Sequence, residues 1–277
     1  MGRRDRPLTF TRVAVFPRYR APDSSRLGFE LGFDVRREIH GEQAYEFERP
    51  IFVGDVIEGE TTLTDASQRE GARGGMMTFA TLETEYRDAS GDLVVTERST
   101  VIETESAIEE EETESIDRTV DPQLEGATVS QTDPGHDIPP SLEDVSEGDS
   151  GPELTVGELS RPDFVRYAGA SGDFNPIHYD DPYARSLGNP RVFGQGMLTA
   201  GYASRFATDW FGLEAIRRFD TRFLARIWPG DTVTFTGAVS EVDRDSGTVT
   251  ADIVGERQTD ETVIGGEIEA VLSARSG

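Results

Sequence analysis

Two hydrophobic periodicities alternate along the chain. Period-two runs at Met77–Arg87 and Leu93–Glu103 flank the turn signal Ser90-Gly91-Asp92. A second pair, Thr248–Glu256 and Thr262–Ser273, flanks a polar turn near Thr259-Asp260-Glu261. Alternation joined by short polar turns predicts antiparallel strands. Helical spacing is confined to the second half. Met197, Ala200, Ala203, Ala207 and Phe211 share one face and predict a helix from Gly196 to Phe211, closed by Gly212. A shorter helix is expected after the N-cap Ser160, with Pro162 in its first turn and Phe164, Val165, Tyr167 and Ala168 as its apolar stripe. An apolar helix followed by four antiparallel strands fits an α+β unit in which a sheet wraps one central helix, although the pattern alone allows other α+β folds.

The strand-rich unit occurs twice. Phe47-Glu-Arg-Pro-Ile-Phe-Val-Gly-Asp-Val-Ile57 parallels Phe223-Leu-Ala-Arg-Ile-Trp-Pro-Gly-Asp-Thr-Val233. Aligning Gly54-Asp55 on Gly230-Asp231 puts Phe47 on Phe223, Ile51 on Ile227 and Phe52 on Trp228. The two units are separated by a stretch of different character. Residues 101–150 hold 16 acidic residues and one arginine, Arg118, with Glu109–Glu112 in a row and few regularly spaced apolar residues. Such a segment cannot bury a face. The expected division is an N-terminal repeat over 1–102, an acidic flexible linker over 103–150 and a C-terminal domain over 151–277. An acidic recognition segment is the alternative for the linker.

Composition then narrows the chemistry. The 277 residues include no cysteine, and all 27 basic residues are arginine. Disulfides, thiol nucleophiles and cysteine metal sites are excluded, as are a P-loop lysine and Schiff-base chemistry. The net charge of −26 argues against nucleic-acid binding. An acidic, lysine-free surface fits a halophilic host, because molar salt shortens the Debye length to about 3 Å. A GC-rich genome is the other explanation for arginine. The linker removes −15 from the total and leaves −11 for everything else. No window is apolar enough to span a membrane. The arginine pair near Met1 lacks the apolar run of a secretory or twin-arginine signal, so a cytoplasmic protein is expected.

Chemistry concentrates in Tyr167-Ala-Gly-Ala-Ser-Gly-Asp173-Phe-Asn175-Pro176-Ile-His178. The chain has three histidines. His136 falls in the linker, and His40 opens a strand where a structural role is expected. His178 instead shares a Gly/Pro-shaped turn with Asp173 and Asn175, so a carboxylate and an imidazole could manage the protons of one water. By itself an Asp-x-Asn-Pro turn is equally a plain turn.

The turn resembles the signature of the MaoC-like, (R)-specific enoyl-CoA hydratases, a hot-dog-fold family, in Gly172-Asp173-Phe174-Asn175-Pro176-Ile177-His178. The similarity runs on through Asp181-Pro182, Ala184, Phe193-Gly-Gln-Gly-Met-Leu198 and Arg222-Phe223…Pro229-Gly230-Asp231. The left half, through His40-Gly-Glu-Gln43 and Arg49-Pro50…Gly54-Asp55, resembles the non-catalytic repeat of two-domain relatives. The resemblance implies a double hot-dog forming a pseudo-dimer within the chain, with pairing of two chains left open. It implies hydration of a trans-2-enoyl-CoA to an (R)-3-hydroxyacyl-CoA, or the reverse. A thioesterase or a non-catalytic acyl-thioester-binding subunit are the alternatives.

The roles it implies are specific. Asp173 and His178 would activate water, and Gly196 would offer its N–H to the thioester oxygen. Asn175 would shape the turn. Met197, Leu198, Tyr202 and Trp210 are acyl-tunnel candidates for which core packing is the competing role. Arg191 and Arg226 are candidates for the phosphates of coenzyme A, which enters as part of the substrate; no metal or separate cofactor is expected. Gln195 departs from relatives that have histidine before the glycine. An equivalent of Asp173 in the first repeat would precede Met1, so that repeat is expected to be incomplete at its start, through reduction or a start codon assigned too late.

Overall fold

The computed structural model describes residues 7–15, 30–34, 37–71, 75–105, 126–133, 135 and 138–274. Among the described residues the first repeat has a one-turn helix, α1 (Arg12–Val15), and strands β1 (Glu38–Phe47), β2 (Ile57–Gly71), β3 (Gly75–Asp88) and β4 (Leu93–Thr104). There follow β5 (Thr128–Gln131) and β6 (Leu154–Gly157), then helices α2 (Arg161–Ser171), α3 (Asp181–Ser186) and α4 (Gly196–Phe211). Strands β7 (Ile216–Phe223), β8 (Val233–Asp243), β9 (Thr248–Arg257) and β10 (Thr262–Val271) complete the chain. The ten strands among the described residues form one sheet in the order β2-β3-β4-β1-β7-β10-β9-β8-β6-β5. This is the double hot-dog architecture.

The sheet is joined at its middle by antiparallel pairing of β1 with β7, from Glu42↔Arg222 to Glu46↔Arg218. Ala44 pairs with Asp220 at the centre of that ladder, and these are the two residues that the repeat alignment superposes. A pseudo-two-fold axis therefore runs through this pair, as in an isologous dimer. The Gly-Asp signature has one structural meaning in both repeats. Gly54 and Gly230 hold positive φ (100° and 94°). Asp55 Oδ2 accepts the N–H of Phe52 at 3.1 Å, and Asp231 Oδ2 that of Trp228 at 2.8 Å. Arginine neutralises each carboxylate, Arg49 at 2.6 Å in the first and Arg257 at 3.3 Å in the second.

Helix α4 spans Gly196–Phe211 as its spacing predicts, with Gly212 at φ 77° closing it. Its core face, Met197, Ala200, Ala203, Phe206, Ala207, Trp210 and Phe211, is buried against the sheet. The small residues are the sheet's concession to this helix: a Cβ on Gly237 would lie 3.1 Å from Trp210 and 3.2 Å from Phe206. Helix α2 is capped as expected, since Asp163 accepts from Ser160 through both backbone N–H (2.9 Å) and hydroxyl (2.6 Å). Val165 leaves the predicted stripe and is exposed, whereas Phe164 and Ala168 are buried.

The linker expectation over 103–150 fails for its second half. Residues 128–131 pair with β6, from Thr128↔Gly157 to Gln131↔Leu154. Leu142 N–H donates to Ser273 O at 3.1 Å, Gly148 N–H to Val239 O at 2.8 Å, and Val145 is buried. Backbone pairing to a sheet edge needs few apolar side chains, so the acidic composition hid it. Glu109–Glu112 and His136 lie outside the described residues. The two sheet edges differ accordingly. β8 is covered by β6 and β5, whereas the edge strand β2 is almost wholly exposed and polar, the charge-guarded form of an open edge.

Candidate active site

The signature turn starts where α2 stops. Gly172 takes the left-handed conformation (φ 86°) and ends the helix. Ser171, buried, donates its hydroxyl to Tyr167 O at 2.8 Å and accepts the N–H of Asp173 at 3.2 Å. Asn175 Oδ1 accepts from Ile177 N–H at 3.2 Å and starts a tight turn over Pro176–His178. Asn175 is therefore a turn-forming cap. Asp173 is half-buried and His178 buried.

His178 is held by its back nitrogen. Nδ1 lies 2.8 Å from the carbonyl oxygen of Phe193, an acceptor, so Nδ1 carries the proton and Nε2 keeps a lone pair. The Phe193 ring meets the imidazole edge-on at 5.3 Å. Burial lowers the His178 pKa from its ordinary value, against the opposing pulls of the Asp173 charge and the Phe193 carbonyl. The imidazole is thus neutral near pH 7, and Asp173 is close enough to favour its protonated form.

The anchor residue Phe193 precedes the start of α4 by three residues, which ties His178 to that helix end. Gln195 Nε2 donates to Phe164 O at 3.1 Å and fixes the N-terminus of α4 against α2. The first amides of a helix have no intrahelical acceptor and carry the positive end of its dipole. Gly196 supplies the first of them, with its Cα beside the Phe223 ring, where a Cβ would stand at 3.3 Å. His178, whose imidazole feels the Asp173 charge, is thus anchored by the segment that leads into the N-terminus of α4.

Other predicted residues distribute unevenly. Met197 and Leu198 are buried in the common core, as is Trp210, and Tyr202 packs against Phe235 at 6.4 Å. Arg226 lies over the Phe193 ring at 4.9 Å and Arg191 over Trp228 at 5.2 Å; Phe193 and Trp228 touch edge-on at 5.9 Å. Two arginines and two aromatic rings therefore form a rim adjoining His178. Sequence reasoning missed Phe193, Ser171 and Trp228. Phe193 acts through its carbonyl, which every residue has, so no side-chain signal could reveal it. Among the described residues no three His, Asp or Glu side chains converge as a metal site.

Known proteins resemble this chain in sequence and fold. A MaoC-like domain model matches residues 148–262, and a FAS1-like dehydratase-region model matches residues 5–97. An (R)-specific enoyl-CoA hydratase of Rhodospirillum rubrum is 32% identical over 140 residues, covering 48% of this chain and 92% of that protein. The chain belongs to the MaoC-like dehydratase family. A peroxisomal enoyl-CoA hydratase 2 of Arabidopsis thaliana is 24% identical over 205 residues, 73% of this chain and 60% of that longer protein. A solved MaoC-like dehydratase superposes with TM-score 0.74 at 28% identity, covering 98% of this chain and 84% of its own. This MaoC-like protein thus matches a relative across both repeats, seam included. Among its described residues, no helix is long and apolar enough to cross a membrane.

Proposed function

We propose that the protein hydrates trans-2-enoyl-CoA thioesters to (R)-3-hydroxyacyl-CoA, and catalyses the reverse dehydration, at the Asp173/His178 site. The observation that carries this reading is the 2.8 Å contact of His178 Nδ1 with Phe193 O, which leaves Nε2 unprotonated on an imidazole that feels the Asp173 charge. Water held between Asp173 and His178 loses a proton to Nε2 as its oxygen bonds to C3 of the substrate. The π electrons move onto the thioester oxygen, where the Gly196 N–H stabilises the enolate; one such donor contributes about 10²–10³ in rate. The imidazolium, stabilised by the Asp173 charge, then returns its proton to C2. Atoms and charge balance within the cycle, and the chemistry calls for no separate cofactor.

Arg191 and Arg226, at the rim, are assigned to the coenzyme A phosphates. The first repeat (1–102) is read as the non-catalytic half of the pseudo-dimer. A cytoplasm at molar salt is proposed as its setting, supported by the −26 charge and the absence of lysine. The deciding assay mixes the protein with crotonyl-CoA in molar KCl and follows enoyl absorbance alongside free thiol. Loss of absorbance without thiol, yielding the (R)-alcohol, is expected. Thiol release would instead mark a thioesterase, and no reaction a binding subunit.

A further inference from the structure

Strand β1 of the first repeat carries His40 and Gln43 where the second repeat has the core residues Ile216 and Phe219. In the repeat alignment Gln43 and Tyr45 occupy the places of Phe219 and Thr221, and both are fully buried. Glu97 of β4, also buried, accepts from Thr11 Oγ1 at 2.7 Å and from Gln43 Nε2 at 3.1 Å. Arg12 of α1 stands close enough to act on His40, Tyr45 and Tyr86, and Glu97 acts on both tyrosines with opposite sign. Three buried atoms, His40 Nε2, Gln43 Oε1 and Tyr45 Oη, have no hydrogen-bond partner among the described residues. Polar neighbours exist, Gln43 for His40 and Thr11 for Tyr45, but lie outside hydrogen-bond geometry. A buried polar atom left unpaired costs about 1–3 kcal/mol. Three of them on one strand call for a partner.

Two links connect the cluster with the candidate active site. The His40 ring lies 4.9 Å from that of Phe223, the ring that walls Gly196 at the start of α4. Arg12 also acts on Tyr167 of α2, which in turn feels the charge of Asp173. The polar cluster is thus linked to the start of α4 through Phe223 and to Asp173 through Tyr167.

We propose that the acyl pocket ends at His40, Gln43 and Tyr45, and that the enzyme prefers enoyl thioesters carrying an uncharged oxygen, a hydroxyl or keto group, at the far end of the chain. The inference rests on the hydration reading above. Gln43 Oε1 accepts from a hydroxyl, and Tyr45 Oη donates to either group. The oxygen is uncharged because Arg12 and Glu97 already offset one another, and burial holds His40 neutral, its pKa pushed down to about 3. A methyl terminus would leave all three atoms unpaired, the situation in which polar sites discriminate most strongly.

The test compares kcat/KM of the full chain in molar KCl for crotonyl-CoA, trans-2-heptenoyl-CoA, 6-hydroxy-trans-2-hexenoyl-CoA and 5-carboxy-trans-2-pentenoyl-CoA. The hydroxylated substrate is expected to exceed its alkyl counterpart by at least about tenfold, with the carboxylate below the alcohol. Tyr45→Phe, which removes one oxygen, and Gln43→Leu should each reduce the alcohol-to-alkyl ratio. Equal or better turnover of the alkyl chain, a preference for the carboxylate, or a ratio unmoved in both variants overturns the inference while leaving hydration intact. Failure to hydrate any of the four, crotonyl-CoA included, removes the hydratase reading itself.

Discussion

In the proposed reaction His178 serves as base because its Nδ1 is already engaged by Phe193 O. With Nδ1–H committed to Phe193 O, the proposed mechanism makes activity depend on the protonation of Nε2. Burial lowers the His178 pKa, so protonation that silences Nε2 sets in only below the ordinary value of about 6.5. The acid limb of the hydration profile is therefore expected below pH 6.5. A midpoint above that value would remove His178 from the base role. Asp173→Asn and His178→Ala should each lower kcat at least about a hundredfold, with folding checked by circular dichroism; near-native turnover in either sinks the dyad. At this scale the sequence was informative where side chains act. Asp173, Asn175 and His178 stand in a turn that their residue types announce. Groups that act through the main chain, such as Phe193 O, have no residue signature, and the proposed role of the Gly196 N–H rests on the family resemblance.

The elements were legible wherever a side-chain period exists. Helix α4 was bounded by its stripe and by Gly212, and the hairpins by alternation around Ser90-Gly91-Asp92 and Thr259-Asp260-Glu261. Strand β5 was not, since Thr128-Val-Ser-Gln131 buries little and gains its place through backbone pairing to β6. Glycines separate the two kinds of packing in one experiment. A Cβ on Gly237 of β8 would stand 2.5 Å from the Asp252 carbonyl as well as against Trp210 and Phe206. Backbone cannot yield as a flexible side chain can. Gly237→Ala is therefore expected to destabilise the protein by about 1–3 kcal/mol. Gly201, inside α4, has nothing within 4 Å of an added Cβ, so Gly201→Ala should stabilise by about 0.5–1 kcal/mol. Urea unfolding at fixed KCl reads both. Matching signs would show that α4 does not seat on β8 as described.

At the level of the whole molecule, two electrostatic effects oppose one another as salt is withdrawn. Exposed ion pairs strengthen, among them Arg222 with Glu42 across the β1–β7 seam and Arg98 with Glu46 and Glu83. Each such pair contributes only about 0–1 kcal/mol. Net repulsion strengthens too, and it has more charge to act on. With 53 acidic residues against 27 arginines, 26 carboxylates remain unbalanced even if every arginine were paired. Lowering salt from about 1 M to 0.1 M lengthens the screening distance from about 3 Å to about 10 Å, which brings neighbouring surface carboxylates into mutual range. Repulsion should win, and the urea midpoint should fall as KCl is reduced from molar to tenth-molar. Urea is the denaturant of choice because, unlike guanidinium chloride, it adds no salt. The placement of charge refines the expectation. The acidic stretch 101–150 holds −15 of the total, part of it in the run Glu109–Glu112 between β4 and β5. Neutralising that run with Glu→Gln at all four positions should recover only part of the low-salt loss, because the remaining excess is spread over both repeats. Complete recovery would confine the salt requirement to the linker, and an unchanged midpoint across salt would refute the proposed molar-salt setting.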